Sequence, residues 1–181
     1  MAIERKIDYM ILGLLSHEPL TGYEIKKRID KSLNFFWSAS YGSIYPTLTL
    51  LEKDHKVTRF EKKENGRNKI IYTITDLGRK ALTDWLHLPV EKDELRYETL
   101  LKLFFGDNAD AEQSLIHINS FEEKIKSALS YLYVAVKRLE KVKDTEPAHL
   151  YYLLTAKFGV KTYEAYLDWC VETKKILENN K

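Results

Sequence analysis

The chain has 181 residues, 44% of them hydrophobic and 31% charged, with 29 Lys and Arg against 27 Asp and Glu. That is the composition of one large or two small globular domains, and it excludes a disordered tail. The single Cys170 excludes an internal disulfide and a cysteine metal cluster, and no run approaches the roughly 18 apolar residues of a membrane span. With Tyr9 to Leu15 too short for a signal segment, the cytosol is the expected compartment and no membrane partner is expected. The near-neutral total hides an asymmetry: residues 1–88 carry 15 basic and 11 acidic side chains, and residues 89–181 carry 14 and 16. A basic half beside an acidic one suits a nucleic-acid-binding module joined to a different partner.

Ile7, Met10, Ile11, Leu14 and Leu15 recur at helical spacing, and the stretch before Pro19 ends that first helix. Thr21 to Glu24 reads as a capping box opening a second helix, with Tyr23, Ile25, Ile29 and Leu33 available to bury. Ile44, Leu48 and Leu51 mark a third helix ending near Asp54. Pro46 places its start between Ser40 and Ser43, because proline is tolerated in about the first turn. Val57 to Lys63 and Lys69 to Ile74 are β-rich runs around Asn65-Gly66, a strong hairpin signal. Thr75 caps a fourth helix carrying Leu77, Ala81, Leu82, Trp85 and Leu86, up to a linker at Pro89.

Helix, helix, helix, hairpin, helix is the order of a winged helix-turn-helix. The expected fold is therefore mainly α: a winged helix-turn-helix with a two-stranded wing over residues 1–88, and an all-helical dimerisation and effector domain over residues 89–181. In that second part a short helix is expected from about Glu91 to Phe105, with Asp107 or Asp110 as a cap. A heptad seam then follows through Leu115, Ile118, Phe121, Ile125, Leu129, Leu132, Val136, Leu139 and Val142. After Pro147, Leu150, Leu154, Phe158, Tyr166, Trp169, Thr173 and Ile176 share one face of a last helix.

A helix can enter the DNA major groove, where each base pair shows a distinct pattern of donors, acceptors and methyl groups. Ser38, Ser40, Tyr41, Ser43, Tyr45, Pro46 and Thr47 crowd the start of the third helix, opposite Ile44, Leu48 and Leu51. Their hydroxyls can reach phosphates or base edges, and Pro46 and Thr47 can offer apolar surface to a thymine methyl. The same cluster also suits a solvated helix start in a structural bundle. The hairpin puts Arg67 and Lys69 near its tip, with Arg59, Lys62 and Lys63 on the first strand. Tip cations can enter the minor groove while strand cations meet phosphates, or the lysines can merely blunt a sheet edge.

Tyr9 to Glu24 (YMILGLLSHEPLTGYE), Phe36 to Leu51 (FWSASYGSIYPTLTLL) and Gly66 to Gly78 (GRNKIIYTITDLG) resemble the three signature segments of PadR-type transcriptional regulators. Beyond residue 88 the chain resembles the helical C-terminal domain of the longer PadR subgroup through its helix pattern and length. The resemblance implies a homodimeric repressor on a palindromic double-stranded operator, released by a small aromatic or lipophilic effector such as a phenolic compound. It assigns Ser40, Tyr41, Ser43, Tyr45 and Thr47 to the recognition helix, Thr21 and Tyr23 to backbone contacts, and Arg67 and Lys69 to the wing. Asn68 and Ile70 stand where many members carry basic or proline residues.

Leu115, Ile118, Ile125, Leu129, Leu132, Val136 and Leu139 are the expected dimerisation residues. Part of that seam is expected to pack on the last helix in cis and part, with the first helix, on a second copy. Phe35, Phe36, Trp37, Phe104, Phe105, Tyr151 and Tyr152 are expected to be core aromatics. His17, His55, His87, His117 and His149 show no ligand spacing, so neither a metal nor a cofactor is expected. Cys170 reads as a small buried hydrophobe. No nucleophile, base and orienting group stand at a recognisable spacing, so the chain is not expected to be an enzyme. The rival to a DNA-binding regulator is a winged-helix adaptor that binds protein without DNA specificity. A positive strip around the third helix and wing would favour DNA there, and an exposed apolar patch would favour protein.

Overall fold

In the computed structural model, which describes residues 5–64, 67–90, 93 and 97–179, the chain divides into two compact units, Met1–Asp93 and Glu94–Lys181. The first runs α1 (Lys6–Leu15), β1 (Leu20–Thr21), α2 (Gly22–Arg28), α3 (Tyr41–Lys53), β2 (Val57–Glu64), β3 (Arg67–Ile74) and α4 (Asp76–Leu86). The second holds α5 (Glu98–Phe104), α6 (Ala111–Val142) and α7 (Pro147–Asn179).

The apolar periodicity of the first half becomes one core. Ile11, Leu12 and Leu15 of α1, Ile25 of α2, Ile29 just beyond it, and Ile44, Leu48 and Leu51 of α3 close over Leu20, Val57, Tyr72 and Ile74 of the sheet. Each large side chain buried this way contributes about 1.5–3 kcal/mol, which makes this core the main force holding the three helices to the sheet. The second helix does not run regularly to Leu33. After Arg28 it widens into a π turn over Ile29–Leu33, with the Asn34 amide reaching back to the Ile29 carbonyl at 3.0 Å.

The sheet has the order β1-β3-β2, antiparallel throughout. The expected hairpin thus gains a third, two-residue strand, too short for side-chain alternation to reveal it. Pairing from Val57↔Ile74 to Glu64↔Arg67 leaves a two-residue connection, Asn65-Gly66, which lies outside the described residues.

The wing is anchored to α4 through backbone. His55 takes φ 56°, and the Thr75 hydroxyl donates to its carbonyl at 2.8 Å while accepting from the Gly78 amide at 3.1 Å. Gly78 then lies so close to this turn that a β-carbon would sit 2.1 Å from the Lys56 carbonyl oxygen. The inward position on α4 therefore belongs to a glycine. Leu77 and Leu86, expected to be buried, are exposed, while Ala81, Leu82 and Trp85 are half-buried.

In the second unit α6 and α7 lie antiparallel, pinned by Lys174 to Glu122, Tyr133 to Glu164 and Lys157 to Glu140. This corrects two expectations. Ile118, Ile125, Leu129 and Leu132 are buried within the chain and are not a free dimerisation surface, because a 33-residue α7 runs the length of a 32-residue α6. Leu115, Val136 and Leu139 are half-buried. Secondly, α7 buries Leu153, Ala156, Val160, Tyr163 and Cys170, whereas Leu150, Leu154, Phe158 and Ile176 are exposed. Both faces of α7 are apolar, so spacing alone does not choose between them. Two small residues, Ala156 and Gly159, are among those buried on the inner face. Asp110, as expected, caps α6 by accepting from the Gln113 amide at 2.7 Å.

Candidate nucleic-acid interface

Recognition by α3 begins with how its first turn is held. Ser40 is the N-cap in extended conformation. Its amide donates to the Ser43 hydroxyl oxygen at 3.1 Å, and that hydroxyl donates back to the Ser40 carbonyl at 2.9 Å. The regular helix starts at Tyr41, within the expected Ser40 to Ser43 window, and Pro46 stands in its second turn. It offers no amide to the Gly42 carbonyl four residues earlier, and both residues are exposed.

The outward stripe of α3 is Gly42, Tyr45, Pro46 and Thr49, with Tyr41 and Lys53 beside it, all exposed. Thr47 does not belong to it. At 3% exposure it is buried with Ile44, Leu48 and Leu51, which corrects its assignment to base contact. Position 47 is one turn from Ile44 and from Leu51, so it falls on the core face, whereas Thr49 falls on the outer one. Gly42, Thr49 and Lys53 were missed as candidates, and the signal was present in the same period read on the opposite side.

Tyr41 and Tyr45 form an aromatic pair, with ring centres 6.1 Å apart and planes 19° from parallel. The Lys26 ammonium lies 5.8 Å from the Tyr41 ring centre and also pairs with Asp30. Ser38 is an exposed loop residue before the helix.

At the neighbouring start of α2, Thr21 is committed to structure. Its hydroxyl oxygen accepts from the Glu24 amide at 3.2 Å, and its amide and hydroxyl each donate to the Glu24 carboxylate at 2.8 Å. These bonds hold the Glu24 carboxyl below the usual carboxylate range, with Lys69 and Arg28 nearby adding to the effect. Tyr23, grouped by spacing with the core of α2, instead points outward at 60% exposure, leaving its ring free for a partner.

On β2 and β3 side chains alternate between faces. Phe60↔Ile71 and Lys62↔Lys69 share one face, while Arg59↔Tyr72 lies on the other. Lys62 directly opposite Lys69 is a like-charge pair, a destabilising arrangement in a sheet that stands alone. Arg59 is held by Glu52 at 3.0 Å. Asn68 and Lys69 are exposed, and the side chain of Arg67 lies outside the described residues. Lys27, Lys31 and Lys62 are exposed and make no ion pair among the described residues.

The same unit exposes Phe36, Trp37 and Phe60, and the second exposes Phe104, Phe105, Tyr151 and Tyr152. Phe35 is half-buried. Apart from Phe35, the aromatics expected in the core are therefore surface groups. Local helical spacing never included them in an inward stripe. A separate aromatic cluster does form in the second unit, where Tyr97 packs edge-on against Phe121 and Tyr166 and donates its hydroxyl to that of Tyr166 at 3.2 Å. Burial and this bond push the Tyr97 phenol well above its ordinary range. Cys170 is fully buried, as expected, and burial raises its thiol too. No group of three His, Cys, Asp or Glu side chains that could hold a metal occurs among the described residues. None of the described helices is long and apolar enough to cross a membrane.

Residues 11–84 match the Transcriptional regulator PadR-like family, and residues 95–178 match the Virulence activator alpha C-term family. The negative transcriptional regulator PadR of Bacillus subtilis is 30% identical over 172 residues, covering 91% of this chain and 93% of that one. Its crystal structure in complex with operator DNA is similar with a TM-score of 0.76, at 28% identity and 96% and 99% coverage. Its complex with p-coumaric acid is similar with a TM-score of 0.70, at 27% identity and the same coverage. A crystal structure from Streptococcus mutans is similar with a TM-score of 0.78, at 32% identity over 96% of both chains.

Proposed function

Since the chain belongs to the PadR-like family of transcriptional regulators, we propose that it is a homodimeric, operator-specific repressor released by a small aromatic effector. The observation that carries the reading is the outward stripe of α3 in one unit with the Lys62↔Lys69 pair of the wing. The stripe offers tyrosine, threonine and proline surface to base edges, and the exposed wing lysines stand where they can meet phosphates. The B. subtilis relative crystallised on operator DNA supports the same use of this fold.

Dimerisation would fall to the apolar surface that the α6/α7 pair leaves outside, namely Leu101 and Phe104 of α5 and Leu150, Leu154 and Phe158 of α7. The effector would be a phenolic acid or similar aromatic, for which Tyr97, Tyr166 and Phe121 supply hydroxyl and ring partners. The p-coumaric acid complex of the relative supports that chemical class.

The test is a mobility shift with the chain's own upstream DNA against a scrambled duplex, across a salt series. The expected result is specific binding that weakens steeply with salt, and that p-coumaric acid or a related phenolic acid reverses. Tyr41→Ala should lower affinity for the upstream DNA about tenfold and leave the scrambled duplex unchanged. Equal weak binding to both duplexes would sink the proposal. That outcome would favour the adaptor reading, which draws on exposed Phe36, Trp37 and Phe60.

A further inference from the structure

Gly22 is the first residue of α2, directly after the Thr21 cap, and it is buried although the residues on either side of it reach the surface. What covers it is the phenol of Tyr45. A β-carbon at position 22 would stand 2.6 Å from Cε1 of that ring, 3.0 Å from Cζ and 3.2 Å from the hydroxyl oxygen. The first two distances are at or inside the limit that real β-carbons respect, so the ring occupies the space that any other residue at position 22 would fill. From α3 itself, Tyr41 stacks on Tyr45 one helical turn away. The Tyr45 ring is thus set between a neighbour on its own helix and a backbone seat on α2, yet it remains 47% exposed.

We infer that Gly22 is a positioning residue for DNA reading: its missing side chain seats the Tyr45 ring in one pose on the outer face of α3. The inference rests on the proposed operator binding and assigns to α2 a part in specificity that involves no contact of its own with DNA. The physical gain is preorganisation. A tyrosine already fixed in its bound rotamer does not have to be ordered when DNA arrives, and for a side chain of this size that ordering is worth about a three- to tenfold change in affinity. The three atoms nearest an alanine β-carbon at position 22 all belong to the tip of the Tyr45 ring, so the ring and not the backbone has to give. Alanine is in addition a better helix former than glycine.

The experiment compares wild type, Gly22→Ala, Tyr45→Ala and the double variant by fluorescence anisotropy on the chain's upstream duplex and on a scrambled one, with Tm measured for each. A parallel NMR measurement follows the nuclear Overhauser contact between the Tyr45 ring and the α-proton of residue 22. Gly22→Ala should keep or slightly raise Tm, weaken that contact, bind the upstream duplex about three- to tenfold less tightly, and bind the scrambled duplex unchanged. The double variant should bind no worse than Tyr45→Ala alone, because the seat acts only through the ring. Wild-type affinity in Gly22→Ala, or losses that multiply in the double variant, overturns the inference alone. A wild-type chain that cannot tell the two duplexes apart overturns the operator reading and the role of the seat with it.

Discussion

In the first unit α3 buries Ile44, Thr47, Leu48 and Leu51 and turns Tyr45, Pro46 and Thr49 outward, so that one short helix has a dry face and a reading face. In the second unit α7 buries Leu153, Ala156, Val160 and Tyr163 and still leaves Leu150, Leu154 and Phe158 exposed. The first helix is finished by its own chain, while the second carries an apolar surplus. The contrast separates two uses of amphipathicity. A reading face can be altered without touching the core, whereas an apolar surplus asks for a covering partner.

The largest expected effect tests the finished side. Leu48→Ala removes a fully buried side chain and should cost about 2–5 kcal/mol, seen as a large fall in the urea midpoint of the first unit and loss of DNA binding with it. Gly78→Ala should be comparable, because its β-carbon meets a backbone oxygen that cannot step aside. If either variant kept its midpoint, the picture of a rigid core beneath a free outer face would fail.

The next test addresses the surplus. Phe158→Asp should dissociate the dimer, raising its Kd by about a hundredfold by sedimentation, with the far-ultraviolet helix signal of the chain retained. Ile125→Ala, on the buried face, should instead unfold the helical pair before it changes the assembly.

Glu122 and Lys174 probe the seam between the two. They lie at 2.6 Å with side chains 10% and 23% exposed, and the lysine holds the Glu122 carboxyl below its ordinary value. A carboxyl lowered on folding contributes stability that is present above its unfolded pKa and lost as pH falls through the lower folded value. Wild-type stability of the second unit should therefore decline below the ordinary carboxylate range. Lys174→Met should lower stability by about 1–2 kcal/mol at neutral pH and flatten that acid limb in denaturant titrations at several pH values.

The smallest effect is the most diagnostic for the wing. Lys62→Glu replaces a like-charge cross-strand pair with an attractive one and should raise stability by about 0.2–0.5 kcal/mol. It should also weaken binding to operator and scrambled DNA alike and lower the salt slope, since a phosphate contact is sequence-blind. A stability gain with unchanged DNA affinity would reduce Lys62 to an edge-blunting lysine.

Much of this organisation was legible from residue types alone. The Thr21 to Glu24 capping box, the Asn65-Gly66 hairpin and the stripe of Ile44, Leu48 and Leu51 are local: each is decided by hydrogen bonds or spacings within a few residues, so the chain announces them. The choice between Thr47 and Thr49 was also written in that period but was outweighed by the polar chemistry of threonine. Burial there follows helical phase, and a hydroxyl does not override it.

What the sequence determined by itself was therefore the order of elements and most of the first unit's core, because those depend on periodicity and caps. Tertiary structure alone decided which apolar face of α7 turns inward, that Ile118 to Leu132 are covered in cis, that Leu20-Thr21 adds a third strand, and that Gly22 lies beneath Tyr45. In each case the outcome depends on the shape of a surface distant along the chain. Spacing along one helix says that a face is apolar but carries no information about what will cover it.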